Sequence, residues 1–263
     1  MNYVVSERDK GGAMKDYKEL RRRYNLYSRL IILVVSLPFI YSLSNIKLSN
    51  FIPLIIFVYI GVMYSALKCI NQWYLKLLNK LLFFDLDIES WKQYIQINGM
   101  AKLKRARKIS KIYEIIYHYM QGEFVHLVNE IDQLRHIGWL NDFERKALNV
   151  YQINSEILSN KINLMEELEE SIEKLFLNES EISLISKKAV AIFDIVIKKK
   201  ANDYFKTIES EFRFDRLESM YFDALNEQLK GNTLETKKLL NIISSEKADI
   251  FIVRESKKLL EEI

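Results

Sequence analysis

The sequence predicts an all-α protein in which two membrane-crossing helices precede a stack of antiparallel helix pairs. The 263 residues include only 7 Gly and 2 Pro, and no proline follows residue 84. That is too few for the frequent turns of an all-β sandwich. Two uncharged apolar runs lie near the N-terminus, and apolar residues beyond them recur at spacings of three and four, which is typical of helices. The single cysteine excludes a disulfide scaffold and a cysteine-based zinc site.

The apolar runs span residues 30–46 and 51–67, and each is 17 residues long. This is the short end of the roughly 17–25 residues that cross a bilayer as a helix. A soluble amphipathic helix would show a polar residue at every third or fourth position, so a transmembrane hairpin is favoured over two core helices. A cleaved signal peptide is the alternative for the first run, but that run is longer than a signal core and no small-x-small site follows it.

Charge divides the chain into a basic first part and an acidic second part. Residues 1–111 contain 19 Lys and Arg against 7 Asp and Glu, a net charge of +12, whereas residues 112–263 carry a net charge of −8. The basic residues flank the outer ends of the hairpin, and the short connection contains only Lys47. By the positive-inside rule, we expect a multi-pass protein of the cell membrane with both termini cytoplasmic. This distribution favours the bilayer as a partner and argues against nucleic acid.

Three segments follow from these patterns. Residues 1–25 are predicted to be a basic cytoplasmic segment, residues 26–84 the hairpin with a juxtamembrane helix, and residues 85–263 a helical-repeat domain. In this last domain the apolar spacing predicts helices at 109–120, 124–134, 143–158, 162–176, 182–199, 202–212, 216–230, 234–244 and 250–262.

Two stretches of this domain share one layout. Residues 113–134 and 221–243 each read as helix, glycine and helix, and Gly122 and Gly231 are expected to be structural turns. The glycines are 109 residues apart, close to three units of about 36, and a tetratricopeptide unit has about 34 residues. In the intervening units Asn160 and Asn202 would replace glycine, because Asn tolerates the left-handed conformation. The consensus Trp and the closing Pro of the repeat are mostly absent.

Several segments carry a resemblance that covers nearly the whole chain. They are the N-terminal hairpin, FFDLDIESWKQYI at 83–95, YHYMQGEFVHLVNEI, ALNEQLKGNTLETKKLLNII and the closing FIVRESKKLLEE. With these features the chain resembles a family of bacterial membrane-anchored proteins with tetratricopeptide-like cytoplasmic domains. The resemblance implies an α-solenoid that serves as a scaffold, and it implies no activity and no catalytic residues.

The three histidines, His118, His126 and His136, lie close together in the sequence. His118 and His126 flank Gly122 and could approach each other on paired helices. None of them forms the His-x-x-x-His pair of a helical zinc site, so we favour surface or partly buried histidines and expect no metal or cofactor. The acidic run at 165–181 is read as the solvated face of a helix rather than as a cation site.

The candidate binding residues are Tyr113, Tyr117 and His118, which could line a groove for a protein or peptide. The alternative is that these aromatic residues belong to the core, as they do more often at helical spacing. The sequence has no phosphate-binding glycine loop and no Gly-x-Ser-x-Gly elbow, so we predict no enzymatic activity. The predicted function is a membrane-anchored protein-binding adaptor at the cytoplasmic face. The alternatives are an immunity protein against a membrane-active peptide and an accessory subunit of peptide export or secretion.

Overall fold

The computed structural model describes residues 16–45, 52–138, 140–175 and 179–263. This part of the chain forms eleven α-helices and contains no strand, which confirms the all-α prediction. Contacts divide the chain into two compact units, Met1–Leu82 and Phe83–Ile263. We refer to them as the N-terminal unit and the helical unit. The predicted connection at Lys47 and residues 1–15 of the predicted basic segment lie outside the described residues.

The N-terminal unit consists of two long helices, α1 (Tyr17–Asn45) and α2 (Ile52–Asn79). A π-helical segment, Lys80–Phe84, follows α2. With 29 and 28 residues, each helix is about 42 Å long, which exceeds the roughly 30 Å of a bilayer core. Both are apolar enough to cross a membrane, and neither apolar stretch is buried within the protein.

Helix α1 begins well before the apolar run because local interactions favour an earlier start. The Asp16 carboxylate accepts a hydrogen bond from the Glu19 amide at 2.9 Å, which satisfies a donor of the first turn. Glu19 in turn pairs with Arg23 one turn later at 2.5 Å. These polar contacts extend the helix beyond the segment that hydropathy alone identifies.

Aromatic side chains join α1 to α2. The ring of Tyr24 lies 4.5 Å from that of Tyr74, and Tyr27 lies 5.5 Å from Trp73. Towards the other end of α1, Phe39 and Tyr59 stack at 4.0 Å between their centroids. Residues early in α1 therefore contact residues late in α2. The first two of these ring pairs lie at the same end of the two helices, as aromatic residues do at a membrane interface.

The helical unit contains the other nine described helices. Several begin at a side-chain cap: Asp87 caps α3, Asn232 caps α10, and Asn141 forms a reciprocal capping box with Glu144 at α6. The helices are α3 (Ile88–Gly99), α4 (Lys104–Gln121), α5 (Phe124–His136), α6 (Asp142–Leu158), α7 (Met165–Leu175), α8 (Glu179–Val196), α9 (Arg213–Leu229), α10 (Thr233–Ser244) and α11 (Phe251–Glu262).

Three turns between these helices share one backbone motif. Each contains a residue in the left-handed region: Gly122 at φ 79°, Asn160 at φ 56° and Gly231 at φ 78°. The amide of the following residue donates to a carbonyl five positions back, as in a Schellman motif. The pairs are Glu123 to His118 at 2.9 Å, Lys161 to Glu156 at 2.8 Å and Asn232 to Glu227 at 2.9 Å.

The predicted helix at 202–212 is wrong. Only a short 3-10 turn, Asp203–Thr207, forms there, and Asn202 is extended at φ −146° rather than left-handed. The buried Asn226 side chain accounts for the difference, because it accepts from the Asn202 amide at 2.8 Å and donates to Asp203 at 2.9 Å. The left-handed residue after α8 is Lys199, at φ 51°.

The last helix packs against the first part of the helical unit. Arg254 on α11 donates to the Gln121 carbonyl at 2.8 Å, and the Phe251 ring lies 5.3 Å from Phe124. The Gln121 side chain donates to the Asp249 carbonyl at 2.9 Å. In an open solenoid a repeat contacts only its neighbours. The contact between α11 and α4 therefore differs from the predicted nearest-neighbour stack.

The two glycine turns provide a matched test of this packing. Alanine at either position should lower the free energy of unfolding by about 1–2 kcal/mol, because a residue with a Cβ is unfavourable in the left-handed conformation. At Gly122 a Cβ would also lie 2.6 Å from the Phe251 ring, whereas at Gly231 it would meet no described atom within 4 Å. We expect Gly122→Ala to cost about 1–3 kcal/mol more than Gly231→Ala. Thermal unfolding of the full-length protein in detergent measures both, and equal losses would contradict the packing of α11 on this turn.

Candidate functional site

An apolar cleft of about 270 Å³ opens where α6, α8, α9 and α11 meet. Its floor is formed by buried side chains, and partly exposed leucines and Phe251 form the walls. Lys199, Gln228 and Glu255 lie at its polar edge. The apolar lining consists of Leu158, Ile195, Val196, Tyr221, Phe222, Leu225, Leu229, Phe251 and Leu259. This surface could bind apolar side chains with polar groups around them.

A buried carboxylate supports the floor of the cleft from within the helical unit. Glu218 on α9 lies one turn before Phe222, and its side chain is only 4% exposed. Its carboxylate accepts a hydrogen bond from the Tyr119 hydroxyl at 2.5 Å and from the Lys188 ammonium at 2.6 Å. These contacts join α9 to α4 and α8. A carboxylate this deeply buried is tolerated because it is both paired and hydrogen-bonded.

The surroundings of Glu218 shift the pKa values of its neighbours. Burial and the Glu218 charge raise the pKa of the Tyr119 hydroxyl well above its ordinary value, so Tyr119 remains a hydrogen-bond donor. Burial and Glu218 also raise the pKa of Asp215. For Lys188, burial lowers the pKa, but the attraction of Glu218 outweighs this effect and the net shift is upward. Lys188 therefore stays protonated at neutral pH beside the Glu218 carboxylate.

The structure places Tyr113 within an aromatic cluster. Its ring lies 4.7 Å from Tyr94, 5.2 Å from Trp91 and 5.9 Å from Phe83. Trp91 itself is completely buried. Burial raises the pKa of the Tyr113 hydroxyl. Tyr113 is therefore half-buried in this aromatic cluster and does not line the cleft.

Tyr117 and His118 lie on the surface of α4, away from the cleft lining. Tyr117 is partly exposed, and burial raises the pKa of its hydroxyl while Lys92 opposes the shift. The His118 ring lies 5.9 Å from Tyr117 and 4.6 Å from His126 across the Gly122 turn. None of the three predicted binding residues lines the cleft, and their role in binding a protein or peptide stays a prediction. His118 belongs instead to a cluster with His126 and Glu130 that could hold a metal ion.

Comparisons with protein-family models, with curated proteins and with solved structures find no match to this chain. The resemblance to membrane-anchored tetratricopeptide-like proteins therefore stays a prediction.

The cleft residues were missed in the sequence because they come from four helices that are far apart along the chain. Leu158 and Leu259 are 101 positions apart, and no spacing rule relates them. A partial signal is present on α9, where Tyr221, Leu225 and Leu229 recur at intervals of four on one face. Such a stripe predicts burial. Only the tertiary structure shows which of its side chains stay accessible in the cleft.

The contribution of the ion pair can be measured with a neighbouring control. Lys188→Met should lower the free energy of unfolding by about 3 kcal/mol, because it leaves a buried carboxylate without a counter-charge. The loss should fall at the lower end of the range for buried pairs, since the Lys188 side chain is 28% exposed. Lys187→Met, on the exposed side of α8, should change it by less than about 0.5 kcal/mol. Denaturation of the full-length protein followed by circular dichroism compares them, and similar values would contradict the assigned role of Lys188.

Proposed function

We propose that the protein is a membrane-anchored adaptor whose helical unit binds an apolar segment of a partner protein. The observation that carries this proposal is the apolar cleft of about 270 Å³ with a polar edge. Its volume lies just below the roughly 300–1,000 Å³ that is typical of small-molecule pockets. That size suits one or two anchoring side chains of a peptide better than a cofactor.

The shape and edge of the cleft favour a helical ligand. An amphipathic helix presents apolar anchors at intervals of three or four residues, and these can insert between the walls. Lys199 and Glu255 at the edge offer opposite charges to the polar flanks of such a helix. We therefore propose that the occupant is an amphipathic helix of a membrane protein.

The N-terminal unit supplies the anchor in this proposal. Helices α1 and α2 are long and apolar enough to cross a membrane. The excess of Lys and Arg outside the hairpin supports the assignment of both termini to the cytoplasm. Because both units belong to one chain, anchoring raises the effective concentration of the cleft towards any partner in the same membrane.

The repeated turns support a tetratricopeptide-like origin of the helical unit. Gly122, Asn160 and Gly231 adopt the same left-handed turn with the same hydrogen bond. We propose that the helix pairs joined by these turns are variants of one repeat, packed as antiparallel hairpins. The contact of α11 with α4 closes what would otherwise be an open stack.

A charge placed in the cleft tests the binding function. Leu229 is 38% exposed at the cleft wall, so Leu229→Glu should leave the fold intact while opposing the insertion of an apolar anchor. Crosslinking and affinity capture of the full-length protein in its native membrane should yield a partner with the wild type. We expect at least a tenfold lower yield with Leu229→Glu, about 1.4 kcal/mol of binding energy.

The matched control is Leu234→Glu, because Leu234 is 83% exposed and lies outside the cleft. Circular dichroism should give the same helicity for both variants and the wild type. Equal capture by wild type, Leu229→Glu and Leu234→Glu would contradict the cleft as the binding site. Failure to capture any protein, with survival of expressing cells under a membrane-active peptide, would favour the immunity function.

A further inference from the structure

Two histidines and a glutamate converge on the surface of the first glycine turn. His118 lies in the last turn of α4, and His126 and Glu130 lie one turn apart on α5. The ligand atoms of all three side chains lie within 4.8 Å of one another. We propose that His118, His126 and Glu130 form a binding site for Zn²⁺. This site is independent of the cleft and of the adaptor function.

The distances approach those of a tetrahedral site. The His118 Nε2 atom lies 3.7 Å from Oε2 of Glu130, and the His126 Nε2 atom lies 3.7 Å from Oε1, the other oxygen of that carboxylate. Zinc bonds to His nitrogen and carboxylate oxygen are about 2.0–2.2 Å long, which places neighbouring tetrahedral ligands about 3.4 Å apart. With Oε2 as the ligand, the separation from His118 needs only a few tenths of an ångström of contraction, and the remaining ligand atoms lie within 4.8 Å of one another. His126 can rotate to shorten its separations from the other two ligand atoms, because its side chain is 58% exposed.

One of the ligands is already oriented by an outer hydrogen bond. The His118 Nδ1 atom lies 2.5 Å from a carboxylate oxygen of Glu123. When Nδ1–H donates to that carboxylate, Nε2 carries the lone pair, and Nε2 is the atom that faces Glu130. A carboxylate that holds a zinc-binding histidine in this way fixes its tautomer and ring orientation.

Glu130 has an oxygen available for a metal. Its side chain is 15% exposed, and its Oε2 atom is buried without a hydrogen-bond partner among the described residues. The other oxygen, Oε1, lies 3.6 Å from the Lys111 ammonium, which is held at 2.6 Å by Glu114. Burial lowers the pKa of Lys111, but Glu114 and Glu130 together raise it above its ordinary value. Lys111 therefore stays charged and weakens the site, whereas Glu123 and Glu114 offset that charge.

The donor set determines the class of ion. Two imidazole nitrogens and one carboxylate suit zinc and related transition metals, whereas magnesium and calcium prefer sites made of oxygen ligands. The carbonyl end of α4 adds a favourable negative potential beside His118. With three protein ligands, a tetrahedral zinc ion keeps one position for water or for a group of a bound partner.

The test titrates the full-length protein in detergent with Zn²⁺ by isothermal calorimetry. We expect saturation at one ion per chain and a rise in the thermal unfolding temperature, since an ion that binds only the folded state stabilises it. His126→Gln and Glu130→Gln should each weaken binding at least tenfold. Glu123→Gln, which removes only the outer carboxylate, should weaken it about 10–100-fold.

The matched control is His136→Gln, because His136 is exposed on the same helix and outside the cluster. It should bind Zn²⁺ as the wild type does and show the same rise in unfolding temperature. Mg²⁺ should produce no shift. The proposal is overturned if Zn²⁺ shows no saturable one-to-one binding, or if His136→Gln weakens binding as much as His126→Gln does.

Discussion

The helical unit depends on the contacts of one buried carboxylate. Loss of either the Tyr119 or the Lys188 contact would leave the Glu218 carboxylate without one of its partners in the interior. These three residues belong to α9, α4 and α8, which are far apart in the sequence. The pairing therefore fixes the relative positions of three helices. Phe222 lies one turn beyond Glu218 and forms part of the cleft floor, so the same constraint shapes the candidate site.

The sequence predicted what depends on local interactions. The two apolar runs, the proline-free helices and the glycine turns are encoded within short segments, and the described structure contains each of them. The helix predicted at 202–212 does not form, because long-range hydrogen bonds hold this segment in another conformation. Asn226, some twenty positions away, bonds to the backbone of Asn202 and to Asp203. Nothing in the segment itself signals that contact.

The difference between local and long-range contacts also decides which parts of the candidate sites could be predicted. The positions of His118 and His126 on either side of Gly122 indicated that they could approach each other, and their rings lie 4.6 Å apart in the structure. Tyr113 was predicted to lie either in a groove or in the core, and the structure shows it half-buried against Trp91 and Tyr94. The cleft includes residues of α11, which packs against α4 and α9. That packing follows from long-range contacts that no periodicity contains.

An anchored adaptor requires that α1 and α2 hold the helical unit at a membrane. The most direct test is alkaline carbonate extraction of membranes from cells that express the full-length protein. Carbonate removes peripheral proteins and leaves membrane-spanning proteins in the pellet. A protein anchored by α1 and α2 should stay in the pellet with integral membrane controls. Its release into the supernatant would show that neither helix crosses the bilayer, and the anchored adaptor would have to be abandoned.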